Sequence, residues 1–185
     1  RLYDFVFGHR DKVSAARLLD LRKREPVLHV SSRYPARHGC MAVVVPLVQH
    51  PTNRNAVVAY DLRHDPTPLL SLDAAAVRRL IYTSADALEE GEERIPLKLV
   101  HINKCPVLAP LATLTPEAAE RWAIDLAQAQ MHRAALLAAP DLAAKLTAVY
   151  SENPFPPIDD PDQALYAGFL TDGDRLRCER VRRTP

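Results

Sequence analysis

The chain has 185 residues, 24 Lys/Arg against 23 Asp/Glu, and 48% hydrophobic residues. That balance excludes a disordered polyelectrolyte and leaves room for one good core plus an appendage. No apolar run approaches the roughly 20 residues that a helical bilayer span needs, no signal-peptide pattern opens the chain, and three cysteines, Cys40, Cys105 and Cys178, are too few and too scattered for a disulfide framework.

The net charge of +1 hides an uneven distribution. Residues 1–38 carry nine Lys/Arg against four Asp/Glu, residues 39–97 carry five against eight, and the stretch from Arg175 carries five Arg and one Glu. Basic zones on a neutral body suit a groove that follows phosphates, although solvated helix faces give the same pattern.

Leu2–Phe7 is an aromatic-rich helical segment interrupted at Gly8. A second helix is expected from about Arg10 to Arg22, with Val13, Ala16, Leu18, Leu19 and Leu21 at roughly helical spacing. Arg22, Lys23, Arg24 and Glu25 form a charged hinge before Pro26. Val27–Ser31 is a short strand, and residues 34–39 are a loop. The valine-rich run Met41–Val48 reads as a buried strand in which Pro46 demands an edge position or a bulge. His50–Asn55 is a turn cluster and Ala56–Leu62 a returning strand, together a hairpin with a polar tip.

Asp73 is an N-cap residue for a helix over Ala74–Tyr82. The acidic loop Asp86–Arg94 leads to a strand over Pro96–Ile102. Thr115-Pro-Glu supplies a cap hydroxyl, a proline at the first helical position and a carboxylate near the positive end of the dipole. Helices are expected over 116–138, broken near Ile124-Asp125, and again from Pro140 to about Tyr150. Four prolines between Asn153 and Pro161 make a stiff linker. Two short helices, about Asp162–Phe169 and Asp172–Arg182, follow it. The predicted fold class is α+β: a small antiparallel β-barrel with inserted and flanking helices in residues 1–152, a linker over 153–161, and the start of a helical domain over 162–185.

Two-metal nuclease chemistry needs acidic side chains clustered on rigid elements around two ions. Asp159, Asp160 and Asp162 sit in the proline-rich linker, and Glu89, Glu90, Glu92 and Glu93 in an exposed loop, so no catalytic residue is assigned. The His38-Gly-Cys40 and His101…Cys105 spacings match no established zinc pattern, so no metal ligand is assigned either; Cys105 beside Pro106 is expected to be a small core residue. Nucleic-acid contact fits the residues better. Arg33, Arg37 and His38 share a loop with Tyr34, joining cations to a stacking surface. Asn53-Arg54-Asn55 is a hairpin tip able to meet sugar-phosphate oxygens, and His101, Asn103 and Lys104 end a strand that could face the same groove.

Several stretches carry a family likeness: Arg1-Leu-Tyr-Asp-Phe-Val-Phe7, Pro26-Val-Leu-His-Val-Ser31, His50-Pro-Thr-Asn-Arg-Asn-Ala-Val-Val-Ala-Tyr-Asp-Leu62, Lys98-Leu-Val-His-Ile-Asn-Lys-Cys-Pro-Val-Leu108 and Leu165-Tyr-Ala-Gly-Phe-Leu170. Together they closely resemble the middle region of bacterial exodeoxyribonuclease I, which digests single-stranded DNA from its 3′ end. The resemblance implies an SH3-like domain followed by the first helices of the family's C-terminal domain. It also implies that the metal-binding carboxylates, the catalytic His and the Mg2+ they use belong to a domain preceding Arg1; the opening Arg fits a chain taken from something larger. This segment would then need no cofactor and would have no nuclease activity of its own. It would help close a positive passage around one DNA strand in a monomeric, cytoplasmic repair enzyme.

The family also recruits the acidic, Phe-ended tail of single-stranded DNA-binding protein, for which Phe5, Arg17, Lys23 and Arg24 are the candidate residues here. The family's pattern is blurred at Pro110 and Thr115. Three functions therefore stand open: a DNA-gripping module, a peptide-capturing module with incidental DNA contacts, and an unrelated free-standing enzyme. The absence of a catalytic triad or a Gly-rich phosphate loop counts against the last.

Overall fold

A computed structural model describes residues 2–151 and 171–183. The chain divides into two compact units, Arg1–Glu152 and Asn153–Pro185. The linker and the helix expected at Asp162–Phe169 lie outside the described residues, whereas the helix expected from Asp172 runs over Asp172–Arg183.

Alternation of apolar side chains builds the first unit. Its five strands are β1 (Val27–Val30), β2 (Met41–Gln49), β3 (Ala56–Asp61), β4 (Leu97–His101) and β5 (Val107–Pro110). All neighbours are antiparallel, in the order β4-β3-β2-β1-β5. One face carries Leu28, Val43, Val45, Val58, Tyr60 and Ala109, and the other carries Val27, Ala42, Val44, Val57, Ala59, Val100 and Leu108. The period-two repeat is therefore apolar on both sides, and the sheet needs two covers.

The helices supply them. α1 (Leu2–Gly8) and α2 (Lys12–Leu18) precede the sheet, and α3 (Thr67–Ser71) and α4 (Ala74–Tyr82) are inserted between β3 and β4. α5 (Pro116–Arg121), α6 (Leu126–Ala138) and α7 (Leu142–Ser151) follow β5. Leu69, Val77, Leu80, Ala129, Leu136, Leu146 and Val149 cover the first face, while Ala15 and Leu19 cover the second.

The sheet is also strongly curled. Lys98 of β4 reaches Ser31, just past β1, with Nζ 3.3 Å from Oγ. In a flat sheet three strand spacings would hold those strands about 14 Å apart. This curl gives the SH3-like, barrel-like form expected from the sequence.

Pro46 sits in an interior strand, at a register shift between Pro46 and Val48. Its missing N–H costs nothing toward β1, whose pairing with β2 ends at Val27↔Val44. The bulge also turns both Leu47 and Val48 toward the helix-side core, which strict alternation would forbid.

Several elements differ from the sequence expectation. The second helix is shorter, Lys12–Leu18, with Asp11 capping the N–H groups of Val13 and Ser14. It stops because the Asp20 carboxylate accepts from the N–H groups of Arg22 and Lys23, a turn that competes with the next helical turn. No element is expected from the sequence over the segments that form β5 and α3; α3 follows Pro66 and carries Pro68 in its first turn. Cys105 is exposed, not a core residue: the backbone turns after β4, and Cys105 takes a left-handed φ of 46° on the outside of that turn. Within the acidic loop, Glu92 forms a two-pronged ion pair with Arg79.

The ammonium of Lys145 in α7 donates to the carbonyls of Leu69, Leu70 and Leu72, at 3.1, 2.9 and 2.7 Å. It thereby satisfies the open C-terminal end of α3 and ties that helix to α7. Lys145→Met, which keeps the stem and removes the donors, is expected to cost about 2 kcal/mol in urea denaturation. An unchanged midpoint would show that water serves those carbonyls equally well.

Candidate nucleic-acid interface

The residues singled out from sequence fall into two neighbourhoods joined by β4. The first lies on the α2 side of the sheet. The loop after β1 carries Arg33 and Tyr34, then a single 3-10 turn, Ala36–His38, which holds Arg37 and His38. Arg33 and Arg37 are exposed and Tyr34 is half-buried. The Tyr34 hydroxyl is hydrogen-bonded to His29 Nδ1 at 2.9 Å, and the two rings meet edge-on. Lys98 Nζ stands 5.4 Å from the centre of the Tyr34 ring. Tyr34 is thus tied at its hydroxyl by one neighbour and flanked at its ring by another. It is a support for Lys98 more than an open stacking platform.

Two of these partners escaped sequence reasoning. His29 looked like an ordinary strand residue, and Lys98 was quoted only as part of a motif. Alternation could have found both, because His29 shares a face with Val27, and Lys98 with Val100 and Ile102. His29 is 5% exposed. Burial first, and then the nearby Lys98 charge, push its pKa down to about 4, so its imidazole is neutral at physiological pH. Burial, followed by the Arg33 charge, lowers the Lys98 pKa, and burial raises that of Tyr34.

The loop is braced from below. Gly39 has a left-handed φ of 63°, and a Cβ there would stand 2.8 Å from the Trp122 ring at the end of α5. The following Cys40 is left-handed as well, and Arg37 Nε donates to His38 Nε2 at 3.2 Å. Trp122 was not singled out from the sequence; the coincidence of one tryptophan and a scarce glycine is visible only once the fold joins them.

The second neighbourhood is the β2–β3 hairpin tip with the end of β4. Asn53 Oδ1 accepts from the Asn55 N–H, the Asn53 carbonyl accepts from the Ala56 N–H, and His50 Nδ1 accepts from the N–H groups of Thr52 and Asn53. Asn53 and Asn55 thus shape the turn, and Arg54 projects from it exposed. The Asn55 carbonyl accepts from the Ile102 N–H, and Ala56 pairs with His101, which brings the tip against β4. Asn103 and Lys104 are exposed in the turn beyond. Burial, then the charges of Lys104, His50 and Lys98, lowers the His101 pKa. On β4, His101 alternates with Lys98 and so faces the opposite side of the sheet, the side on which the His50 ring meets Tyr150 at 5.2 Å. The ten residues therefore make two patches, at opposite ends of β2 and linked through β4, and not a single groove floor.

The four residues considered for peptide capture are more dispersed. Phe5 packs toward the helix-side core and stacks on His9. Arg17 lines a groove with Lys12, Leu19, Arg22, Gln49 and Ile102, whereas Lys23 and Arg24 do not line it. Arg24 has a left-handed φ of 47°, and its carbonyl accepts from Arg133 Nε at 2.9 Å. Among the described residues no group of three or more His, Cys, Asp or Glu could hold a metal ion, and no helix is long and apolar enough to cross a membrane.

Residues 10–152 match the family described as Exonuclease I SH3-like domain. The chain belongs to that family. It is 41% identical over its full length to exodeoxyribonuclease I of Escherichia coli K12, and 37% identical to that of Haemophilus influenzae. It spans only about two fifths of the length of these relatives: 39% and 40%. Among solved structures, E. coli exonuclease I in complex with a 5cy-dT13 oligonucleotide covers 99% of the chain at 40% identity with a TM-score of 0.84; the chain covers 39% of it. A moderately thermophilic exonuclease I from Methylocaldum szegediense covers 97% at 44% identity with a TM-score of 0.83, and the chain covers 37% of that protein.

Two outcomes follow from the geometry of the loop and its anchor. Gly39→Ala is expected to destabilise the protein by about 1–3 kcal/mol, through backbone strain and displacement of Trp122, measured by chemical denaturation; a neutral result would mean the loop is not clamped. His29 has a folded pKa below its unfolded value, so the unfolded chain binds a proton first as pH falls. Stability should therefore decline between about pH 6.5 and pH 4, by roughly 3 kcal/mol at most, and His29→Leu should flatten that part of the curve. Parallel curves for the two proteins would contradict the assignment.

Proposed function

We propose that this chain is the DNA-gripping region of an exodeoxyribonuclease I, holding a single strand while the parent enzyme cleaves it from the 3′ end. The observation that carries the proposal is the near-complete structural agreement with an exonuclease I in complex with an oligonucleotide. It is supported by the exposed Arg33, Arg37, Arg54 and Lys104 on loops at the two ends of β2, with Lys98 of β4 reaching from one neighbourhood toward the other. Cations so placed bind phosphates without reading sequence, as an enzyme that must advance along any strand requires. A grip that outlasts each cleavage keeps the enzyme on its substrate, which is processivity.

The phosphodiester chemistry belongs, in this proposal, to residues outside the chain, which spans about two fifths of its relatives. The part of this chain in the proposal is to hold the strand, and the Mg2+ used for cleavage would be held by residues outside it. The parent would act in DNA repair as a cytoplasmic monomer. Capture of the acidic tail of single-stranded DNA-binding protein is the less supported role, because Phe5, Arg17, Lys23 and Arg24 do not line a common groove.

The chain is expected to bind fluorescent oligo-dT in anisotropy titrations with a log–log salt slope between about −2 and −4, as three to five phosphate contacts imply. Arg54→Glu should weaken binding several-fold. Incubation with Mg2+ should yield no shortened products. Salt-independent binding, or robust digestion of DNA by the chain alone, would overturn the proposal.

A further inference from the structure

Ser31 lies at the centre of an arrangement that core packing does not require. Its Oγ accepts from Lys98 Nζ at 3.3 Å and from the Arg33 backbone N–H at 3.3 Å. Both lone pairs of the hydroxyl are thus engaged, and its own hydrogen remains to be donated. The Lys98 ammonium spends one of its three donors on Ser31 and rests over the Tyr34 ring, which His29 fixes through the hydroxyl. Among the described residues neither Lys98 nor Arg33 forms an ion pair with a carboxylate, although both residues converge on the Ser31 hydroxyl and the Arg33 charge reaches the Lys98 ammonium.

Two cations drawn together without an anion repel each other, and half-burying one of them adds a desolvation cost. Such a pair is stabilised when an anion occupies the space between its members. Sulfhydryl, amide and apolar ligands supply no charge to offset the repulsion; a tetrahedral oxyanion supplies both the charge and several acceptors.

We propose that Lys98, the Ser31 hydroxyl and the Arg33 guanidinium form a seat for one phosphate group, with Tyr34 as the positioning residue that holds Lys98 over it. The seat rests on the DNA-gripping role proposed above and deepens it, by naming the atoms that hold one backbone phosphate. The chemistry is that of a phosphate monoanion or dianion, and either a nucleic-acid strand or free inorganic phosphate could supply it. Strong recognition of the strand is expected because neighbouring phosphates can engage Arg37 at the same time.

The test has two arms. In the first, backbone and side-chain NMR of the 185-residue chain is followed during titration with inorganic phosphate. Saturable shifts at the Ser31 and Arg33 amides that Lys98→Gln abolishes and Lys98→Arg restores are expected. Absence of those shifts in the wild-type chain, which involves no variant and no folding risk, overturns the seat. In the second arm, oligo-dT binding is compared for normal strands and for strands with methylphosphonate linkages. Lys98→Gln should weaken binding of normal oligo-dT about three- to tenfold at low salt, reduce the salt slope by about one, and have no effect on the uncharged strand. Tyr34→Phe should shift the Lys98 Nζ signal and weaken binding less than Lys98→Gln does.

Phosphate shifts without oligo-dT binding would keep the seat as a free-phosphate site and defeat the DNA-gripping role. Oligo-dT binding that is indifferent to Lys98→Gln, with no phosphate shifts, would defeat the seat and leave the DNA-gripping role standing.

Discussion

A sheet that is apolar on both faces must be enclosed on both faces, and most of this molecule follows from that requirement. β2 and β3 are almost completely buried, with side chains from Ala42 to Val48 and from Ala56 to Asp61 covered above or below. Helices α3 to α7 provide one cover. The other is small, little more than α2 and the curl of the sheet on itself. Because that second cover is incomplete, its open end is closed by polar side chains, and it is there that His29, Tyr34 and Lys98 meet.

Burying such groups is costly unless each finds a partner. Here the solution is a chain of contacts: imidazole to phenol, phenol ring to ammonium, ammonium to serine hydroxyl. Each member restricts the next, so the cation displayed at the rim has a fixed position, unlike the mobile lysines of an ordinary surface. Rigidity of this kind reduces the ordering cost of binding a charged polymer. The hairpin tip is built differently: its asparagines are consumed in holding the turn, which leaves Arg54 as the displayed group.

Much of the fold was legible in the sequence because local signals were strong. Asp73 and Thr115 cap their helices as their side chains dictate, accepting from Ala76 and Ala118. Asp125 starts α6 after Ala123 turns left-handed, where the sequence suggested a break. What was illegible depended on partners distant in the chain. β5 is four residues long and acquires its identity only by pairing with β1. α3 is a single short helical turn that starts between two prolines, Pro66 before it and Pro68 within it, and is held by a lysine more than seventy positions away. For the site, sequence composition identified the basic and polar loops. It did not reveal that alternation along β4 sends Lys98 and His101 to opposite sides, or that His29 stands behind Tyr34.

Trp122 is the only tryptophan in the chain, and its ring rests against Gly39, at the base of the loop carrying Arg37 and His38. The protein therefore contains a built-in optical reporter. Indole emission depends on how closely the surrounding backbone and solvent approach, so any rearrangement of that loop registers without an attached dye. Intrinsic fluorescence can thus time the arrival of a ligand at the rim in a stopped-flow mixer, on the unmodified polypeptide.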